Sequence, residues 1–479
     1  MAISPMLVHA RLQDAAQAQE APLTPILFVH GNGDHSALWM TTLWRFESNG
    51  WPRERLHALD FTDPLARDDD AVAQPMRSSS EDARRELAAE IAALRARTGA
   101  ERVALVGNSR GGYPIRNHVQ LHGGGPEVSH AVLCGTPNNG IYDWDATAGR
   151  EFSARSALLR RLNAGESQVV PGTGFLTLRS DSNDLYAQPD GRYAGRPGVP
   201  TGVGYDSPAL RGATNLVLPG VDHRETAYSA RAFREMFRFI AGHESDRLSI
   251  LPEVRPVLDG RVTGTPGGVQ TNRTVAGAVV EVFQVSAGTG ERMGKALHRR
   301  TTGEDGRWGP VTVSPDWHLE IVVAAPGHPI THSYRSPFPR SSSVVNLRPA
   351  PPPSEADRAA GAVVRFNRPR GYFGLPRDVV VLDGKEPTDI PRGVAASRRR
   401  GGGHHHRALA RGGNRAFRDR VVQRGTPGGP GLAPGREPGE RGRADLVGAG
   451  AGKPALPPRR RLRYHRPSSK GVLPRYGEL

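Results

Sequence analysis

Cysteine is almost missing from this chain. Cys134 stands alone among 479 residues, so no disulfide can form within it. Long apolar runs are missing too. Nothing approaches the roughly 18 to 20 apolar residues that a membrane-spanning helix needs. An excess of charge of either sign is missing from most of the chain. The formal net charge is +16, yet residues 391–479 hold 21 of the 64 Lys+Arg and only 5 of the 48 Asp+Glu. The remainder carries 43 of each and is electrically balanced. A body without a basic stripe has no evident footprint for phosphate, and no nucleic-acid partner is expected for it.

The N-terminal residues 1–22 contain Ala16-Gln17-Ala18, which has the shape of a signal-peptidase site. The stretch before it is broken by Pro5, His9 and Arg11 and makes a poor hydrophobic region. The expectation is an atypical or remnant export signal and a secreted or periplasmic protein; if the N-terminus is as given, the chain is cytoplasmic.

What is present begins with alternation. Strand-like segments at 24–33, 55–61, 102–107, 130–137, 174–180 and 214–220 are interleaved with helical periodicity. Over 78–100, Leu87, Ile91 and Leu94 share one face, with Ser80 as the expected cap. Over 230–242, Phe233, Met236, Phe237 and Ile240 recur at helical spacing. Strands alternating with helices predict an α/β fold over 23–245, a mostly parallel sheet flanked by helices. From 246 to 350 short strands separated by Gly, Pro and Asp predict a small all-β sandwich. Residues 351–391 read as a Pro-rich linker and the start of a further β unit.

Residues 392–479 are rich in Arg, Gly and Pro and lack apolar periodicity. They read as a disordered tail or as a GC-rich gene translated out of frame. His404 to His406 then reflect codon composition rather than a metal site.

The chemistry is concentrated in "VALVGNSRGG". Gly107-Asn108-Ser109-Arg110-Gly111 at the end of a predicted strand has the form of a nucleophile elbow, with Ser109 as the nucleophile. His223, in "LPGVDHRETAY", follows a later predicted strand and is the candidate general base. Between them "TLRSDSNDLYAQP" offers two carboxylates, Asp181 and Asp184, either of which could orient the imidazole; the other would cap a turn. Backbone N–H groups of Asn32, in "HGNG", and of Arg110 are the candidate oxyanion hole. His30 reads as a structural residue of that turn. This chemistry requires no cofactor and no metal.

These segments, "ILFVHGNGDHSALW", "VALVGNSRGG", "AVLCGTPNNG", "LLRRLNAGE", "TLRSDSNDLYAQP" and "LPGVDH", resemble the bacterial secreted lipases and esterases of the α/β-hydrolase superfamily over about residues 24–242. The resemblance implies Ser109 as nucleophile, His223 as base and main-chain donors from Asn32 and Arg110. In that family the acid often opens an aspartate…Val-x-Pro run. Asp184, Ala187 and Pro189 fit that spacing, with Ala in place of Val, and Asp181 does not. The family commonly has Gly-His-Ser-x-Gly; Asn108 and Arg110 depart from it and bear on substrate preference. Residues 246–350 are more loosely similar to transthyretin-like or carboxypeptidase-regulatory-like sandwiches.

The expected activity is hydrolysis of carboxylic esters, lipase-like, through an acyl-enzyme. The expected partner is an ester or lipid, or a polymer surface if the chain is instead a polyhydroxyalkanoate depolymerase. The non-enzymatic alternative is a hydrolase fold reused as a binding module. Leu158, Leu159 and Leu162 form either a short acyl-binding cap or a packing helix. Trp144, Phe152 and Phe175 are candidate pocket liners, with core packing favoured for Phe175.

Overall fold

The computed structural model describes residues 23–352 except 182, 185 and 192–197, together with 354, 355, 358 and four strands further on. Six strands form one sheet: β1 (Ile26–Val29), β2 (Leu56–Ala58), β3 (Val103–Asn108), β4 (Val128–Cys134), β5 (Gly174–Ser180) and β6 (Thr214–Leu218). Their order is β2-β1-β3-β4-β5-β6, and every pairing is parallel. A parallel sheet needs both faces covered, and the residues alternate accordingly. Ile26, Phe28, Ala104, Val106, Val132 and Cys134 point into one core with Trp39, Phe46, Trp51, Phe233 and Phe237. Leu27, Val29, Val103, Leu105, Ala131 and Leu133 point into the other, with Leu87, Ile91, Leu94 and Ile115.

The covering helices are α1 (Met40–Ser48), α2 (Ser80–Thr98), α3 (Gly112–Arg116), α4 (Ala157–Leu162), α5 (Glu225–Tyr228) and α6 (Ala230–Ala241). The cap of α2 is Ser79, not Ser80. Ser79 Oγ accepts from the Asp82 N–H while the Asp82 carboxylate accepts from the Ser79 N–H, a reciprocal capping box. Ser80 is the first helical residue, and its hydroxyl is held by Asp70. The leucines of α4 pack with Tyr113 of α3, with Leu121 and Phe152 against them. The helix is therefore a packing element. Phe175 lies in the core, as expected.

The sheet reverses its direction of growth at β1, which has β2 on one side and β3 on the other. The crevice beyond the carboxyl ends of strands at such a reversal is where ligands bind in open α/β sheets. The turn after β1 and the serine after β3 both lie there.

The second domain has an antiparallel sheet ordered β12-β11-β8-β9, made of β8 (Val279–Val285), β9 (His298–Thr301), β11 (His318–Ala324) and β12 (Thr331–Arg335). A two-stranded sheet pairs β7 (Val257–Leu258) with β10 (Val311–Thr312). The segment "SSVVNLRPA" is not a continuous strand; it adds single bridges, Leu258 to Ser342 and Val262 to Leu347. The core of this domain includes Trp308, Ile321 and Phe338, and also Met40 and Trp44 from α1. Trp44 donates its indole N–H to the Ser341 carbonyl at 2.7 Å. The two domains thus share a hydrophobic contact.

Further on, β13 (Ala362–Asn367) pairs antiparallel with β15 (His404–Leu409), and β14 (Asp378–Val381) with β16 (Arg420–Gln423). Within 392–479, read as the tail, β15 and β16 are the described segments, and His404 to His406 belong to β15. The other residues of that stretch, and the signal-like segment 1–22, lie outside the described residues.

Candidate active site

Ser109 follows the last residue of β3 with φ of 55°, one of two non-glycine residues with positive φ among the described residues. An L-residue is rarely found there, and such strain is concentrated at functional sites. The flanking glycines explain how the turn is possible. A Cβ on Gly111 would lie 2.5 Å from the Val29 carbonyl oxygen of β1, and one on Gly107 would lie 2.7 Å from Ile115 and 2.9 Å from the Gly111 backbone. The chain leaves β3 and enters the helical turn in a space too small for side chains. Gly31 is close as well: its Cβ would stand 3.0 Å from Ser109 Cβ. The turn after β1 is therefore directly against the serine.

His223 lies in the loop between β6 and α5. Its Nδ1 is 2.9 Å from the Asp184 carboxylate, and both side chains are buried. A carboxylate can only accept, so Nδ1 carries the proton and Nε2 is left as the acceptor. The backbone of the loop is fixed as well. Asp222 Oδ1 accepts the N–H groups of Arg224 and Glu225, and the His223 carbonyl accepts the Thr226 hydroxyl at 2.7 Å. Asn108, next to the serine, donates its amide to the Cys134 carbonyl at 2.9 Å and to the His223 carbonyl at 3.4 Å. The ring of Tyr186 stands edge-on to the imidazole, centroids 4.6 Å apart. The Ser109 hydroxyl itself makes no hydrogen bond among the described residues.

Asp181 is placed differently. Its Oδ1 accepts from the Asn183 N–H and its Oδ2 from the Gly220 N–H. It shapes the turn between β5 and the acid-bearing loop and pins it to the end of β6.

In the turn after β1, the Gly31 carbonyl accepts from His30 Nδ1 at 2.8 Å and from the Asp34 N–H at 3.3 Å. A trans peptide sets the next N–H opposite to this carbonyl. The Asn32 N–H has no protein acceptor among the described residues, while its side chain accepts from the Ala66 N–H. His30 Nε2 accepts from the Phe61 N–H at 3.1 Å, so the ring is neutral with its proton on Nδ1. Burial holds its pKa below 6.5. His30 is structural, as its place in the turn implied.

The side chain of Arg110, the residue after the serine, turns inward. Its guanidinium is 3% exposed and donates to Glu151 at 2.8 Å, to Ser78 Oγ and the Ser78 carbonyl at 2.9 Å, and to the Pro64 carbonyl at 3.2 Å. It staples the 64–79 loop to the start of the helical turn after Ser109. Burial pushes the Glu151 carboxyl up to about 7, opposed by the adjacent guanidinium. Sequence reasoning missed this partner, and it missed Tyr186 and the ion pair of Asp34 with Arg224 at 2.8 Å. That pair ties the turn after β1 to the loop that carries His223.

Trp144 stacks on Tyr142, with the rings 9° from parallel and 5.4 Å apart. Among the described residues no group of three or more His, Cys, Asp or Glu side chains could hold a metal ion, and no helix is long and apolar enough to cross a membrane.

Residues 25–174 match the family model described as palmitoyl protein thioesterase, and residues 255–352 the one described as lipase C-terminal domain. Solved structures with a likeness to the chain include the product of the gene lin2722 from Listeria innocua, at 14% identity over 47% of this chain and 97% of that one, TM-score 0.33. Another is Bacillus licheniformis lipase BlEst2 in mature form, at 20% identity over 47% and 94%, TM-score 0.32. A third is phospholipase PlaB from Legionella pneumophila, at 13% identity over 69% and 94%, TM-score 0.33. A comparison with curated proteins finds no match. The six-stranded parallel sheet flanked by helices is an α/β-hydrolase fold, and residues 25–174 within it are similar to the thioesterase model. A domain similar to the C-terminal domain of lipases follows it, where the sequence suggested a transthyretin-like likeness.

Proposed function

We propose that the chain is a serine hydrolase of carboxylic esters, lipase-like, with Ser109, His223 and Asp184 as its triad. The observation that carries this reading is the buried 2.9 Å bond from His223 Nδ1 to Asp184, on the loop that Asn108 ties to the strained serine. Ser109 Oγ attacks the ester carbonyl as His223 Nε2 takes its proton. Asp184 stabilises the imidazolium without itself becoming protonated. The negative oxygen of the tetrahedral intermediate is held by the N–H groups of Asn32 and Arg110. His223 returns the proton to the leaving alcohol, and water releases the acyl group by the same steps.

The test is hydrolysis of p-nitrophenyl esters of short and long acyl chains by the purified protein, with Ser109→Ala alongside. Turnover that disappears in the variant supports the reading, and the chain-length profile separates esterase from lipase. A folded wild-type protein with no turnover of any ester would refute it. The match of 25–174 to a thioesterase family model favours one second reading, an acyl thioester in place of the oxygen ester. The triad chemistry is unchanged, and a palmitoyl thioester substrate compared with its oxygen ester decides between them.

A further inference from the structure

The turn that bears Asn32 is not held by its own domain alone. Asn272, buried in the C-terminal domain, reaches across to it. Its amide nitrogen donates to the Asp34 carbonyl at 3.0 Å and to the Phe61 carbonyl at 2.9 Å. Its amide oxygen accepts from Arg348 at 2.7 Å, which fixes which way the group faces. Its backbone N–H donates to the Thr62 carbonyl at 3.0 Å. Arg348, also of the C-terminal domain, donates to the Gly33 carbonyl at 3.3 Å.

These contacts close a short path to the Asn32 N–H. Asn272 holds Asp34 and Phe61. The Asp34 N–H bonds to the Gly31 carbonyl, and the Phe61 N–H sets the tautomer of His30, which bonds to the same carbonyl. The Gly31 carbonyl in turn fixes the plane of the Gly31–Asn32 peptide, and so the aim of the Asn32 N–H. The contact of Arg340 with Glu47 at 2.9 Å also joins the domains but touches none of the residues of this turn.

We propose that Asn272 is a positioning residue for the oxyanion hole, so that the C-terminal domain completes the active site of the first domain. The proposal rests on the ester-hydrolase reading above. It requires loss of the Asn272 donor to lower turnover while leaving ground-state binding of the ester largely intact. Oxyanion donors act on charge that develops in the transition state, and removing one outright costs about 100- to 1000-fold in kcat. Loosening one costs a part of that.

The experiment uses the full chain and p-nitrophenyl butyrate, with wild type, Ser109→Ala, Asn272→Ala, Asn272→Asp and Arg340→Ala. The aspartate keeps the volume and the acceptor for Arg348 but replaces the donor, so it reports even if the alanine variant folds poorly. Both Asn272 variants are expected to lose roughly 10- to 100-fold in kcat with KM within about twofold. Arg340→Ala is expected to lower the melting temperature and leave kcat unchanged. Asn272 variants that turn over within about twofold of wild type, or a kcat loss that Arg340→Ala matches, would overturn the proposal. Wild-type turnover no greater than that of Ser109→Ala would instead bring down the ester-hydrolase reading, and this proposal with it.

Discussion

His223 Nδ1 and the Asp184 carboxylate stand 2.9 Å apart across 39 residues of chain, while Asp181, three residues earlier, accepts from Ser180, Asn183 and Gly220. Asp184→Asn is expected to lower kcat about 10⁴-fold, because the amide favours the wrong imidazole tautomer. Asp181→Asn keeps an acceptor oxygen and is expected to leave kcat within about tenfold of wild type. Steady-state kinetics of the two variants check the assignment; equal losses would undo it.

Gly111→Ala places a methyl group 2.5 Å from the Val29 carbonyl oxygen, and the backbone has no side chain to swing aside. A loss of about 1–3 kcal/mol or more is expected, measured by urea unfolding. Ester turnover should fall as well, since any shift of this glycine moves Ser109 relative to the turn after β1.

Arg110→Met removes the cation from a buried ion pair and leaves Glu151 facing an apolar side chain. Breaking one side of such a pair costs about 3–5 kcal/mol. The double variant Arg110→Met with Glu151→Leu should recover much of that loss, because neither charge then remains buried alone. Urea unfolding of the single and double variants tests this; a double variant as weak as the single one would speak against the pair as the cause.

His30 sets an acid limit. Its pKa in the folded chain lies below 6.5, because burial disfavours the imidazolium and protonation at Nε2 would set that N–H against the Phe61 N–H. The unfolded chain takes up the proton first. Stability from this group is therefore present above about pH 6.5 and is lost as the pH falls below it. Unfolding free energies of wild type and His30→Asn at pH 7.5 and 5.5 give the test. The wild type should lose more between the two values than the variant does.

Much of the first domain was legible because its signals are local. The segment "GFLTLRS" is β5 to the residue, and its apolar residues serve both faces of the sheet, Leu176 and Leu178 in one core and Phe175 in the other. Ser109 was legible because the elbow is a matter of backbone space, and the two glycines record that space in sequence. The strands β9 and β12 gave little signal. Both lie at the edges of their sheet and read "HRRT" and "THSYR", without the apolar alternation of a covered strand.

By itself, then, the sequence determined the alternation of strands and helices, the position of the strained serine and the candidates for its partners, because each depends on neighbours within a few residues. Tertiary structure decided the rest. It chose which of two nearby aspartates meets His223, it turned Arg110 inward onto Glu151, and it brought Asn272 against a turn that carries His30, 242 positions earlier. Such contacts depend on how separate elements are brought together in the fold, and no local pattern of residue types carries that information.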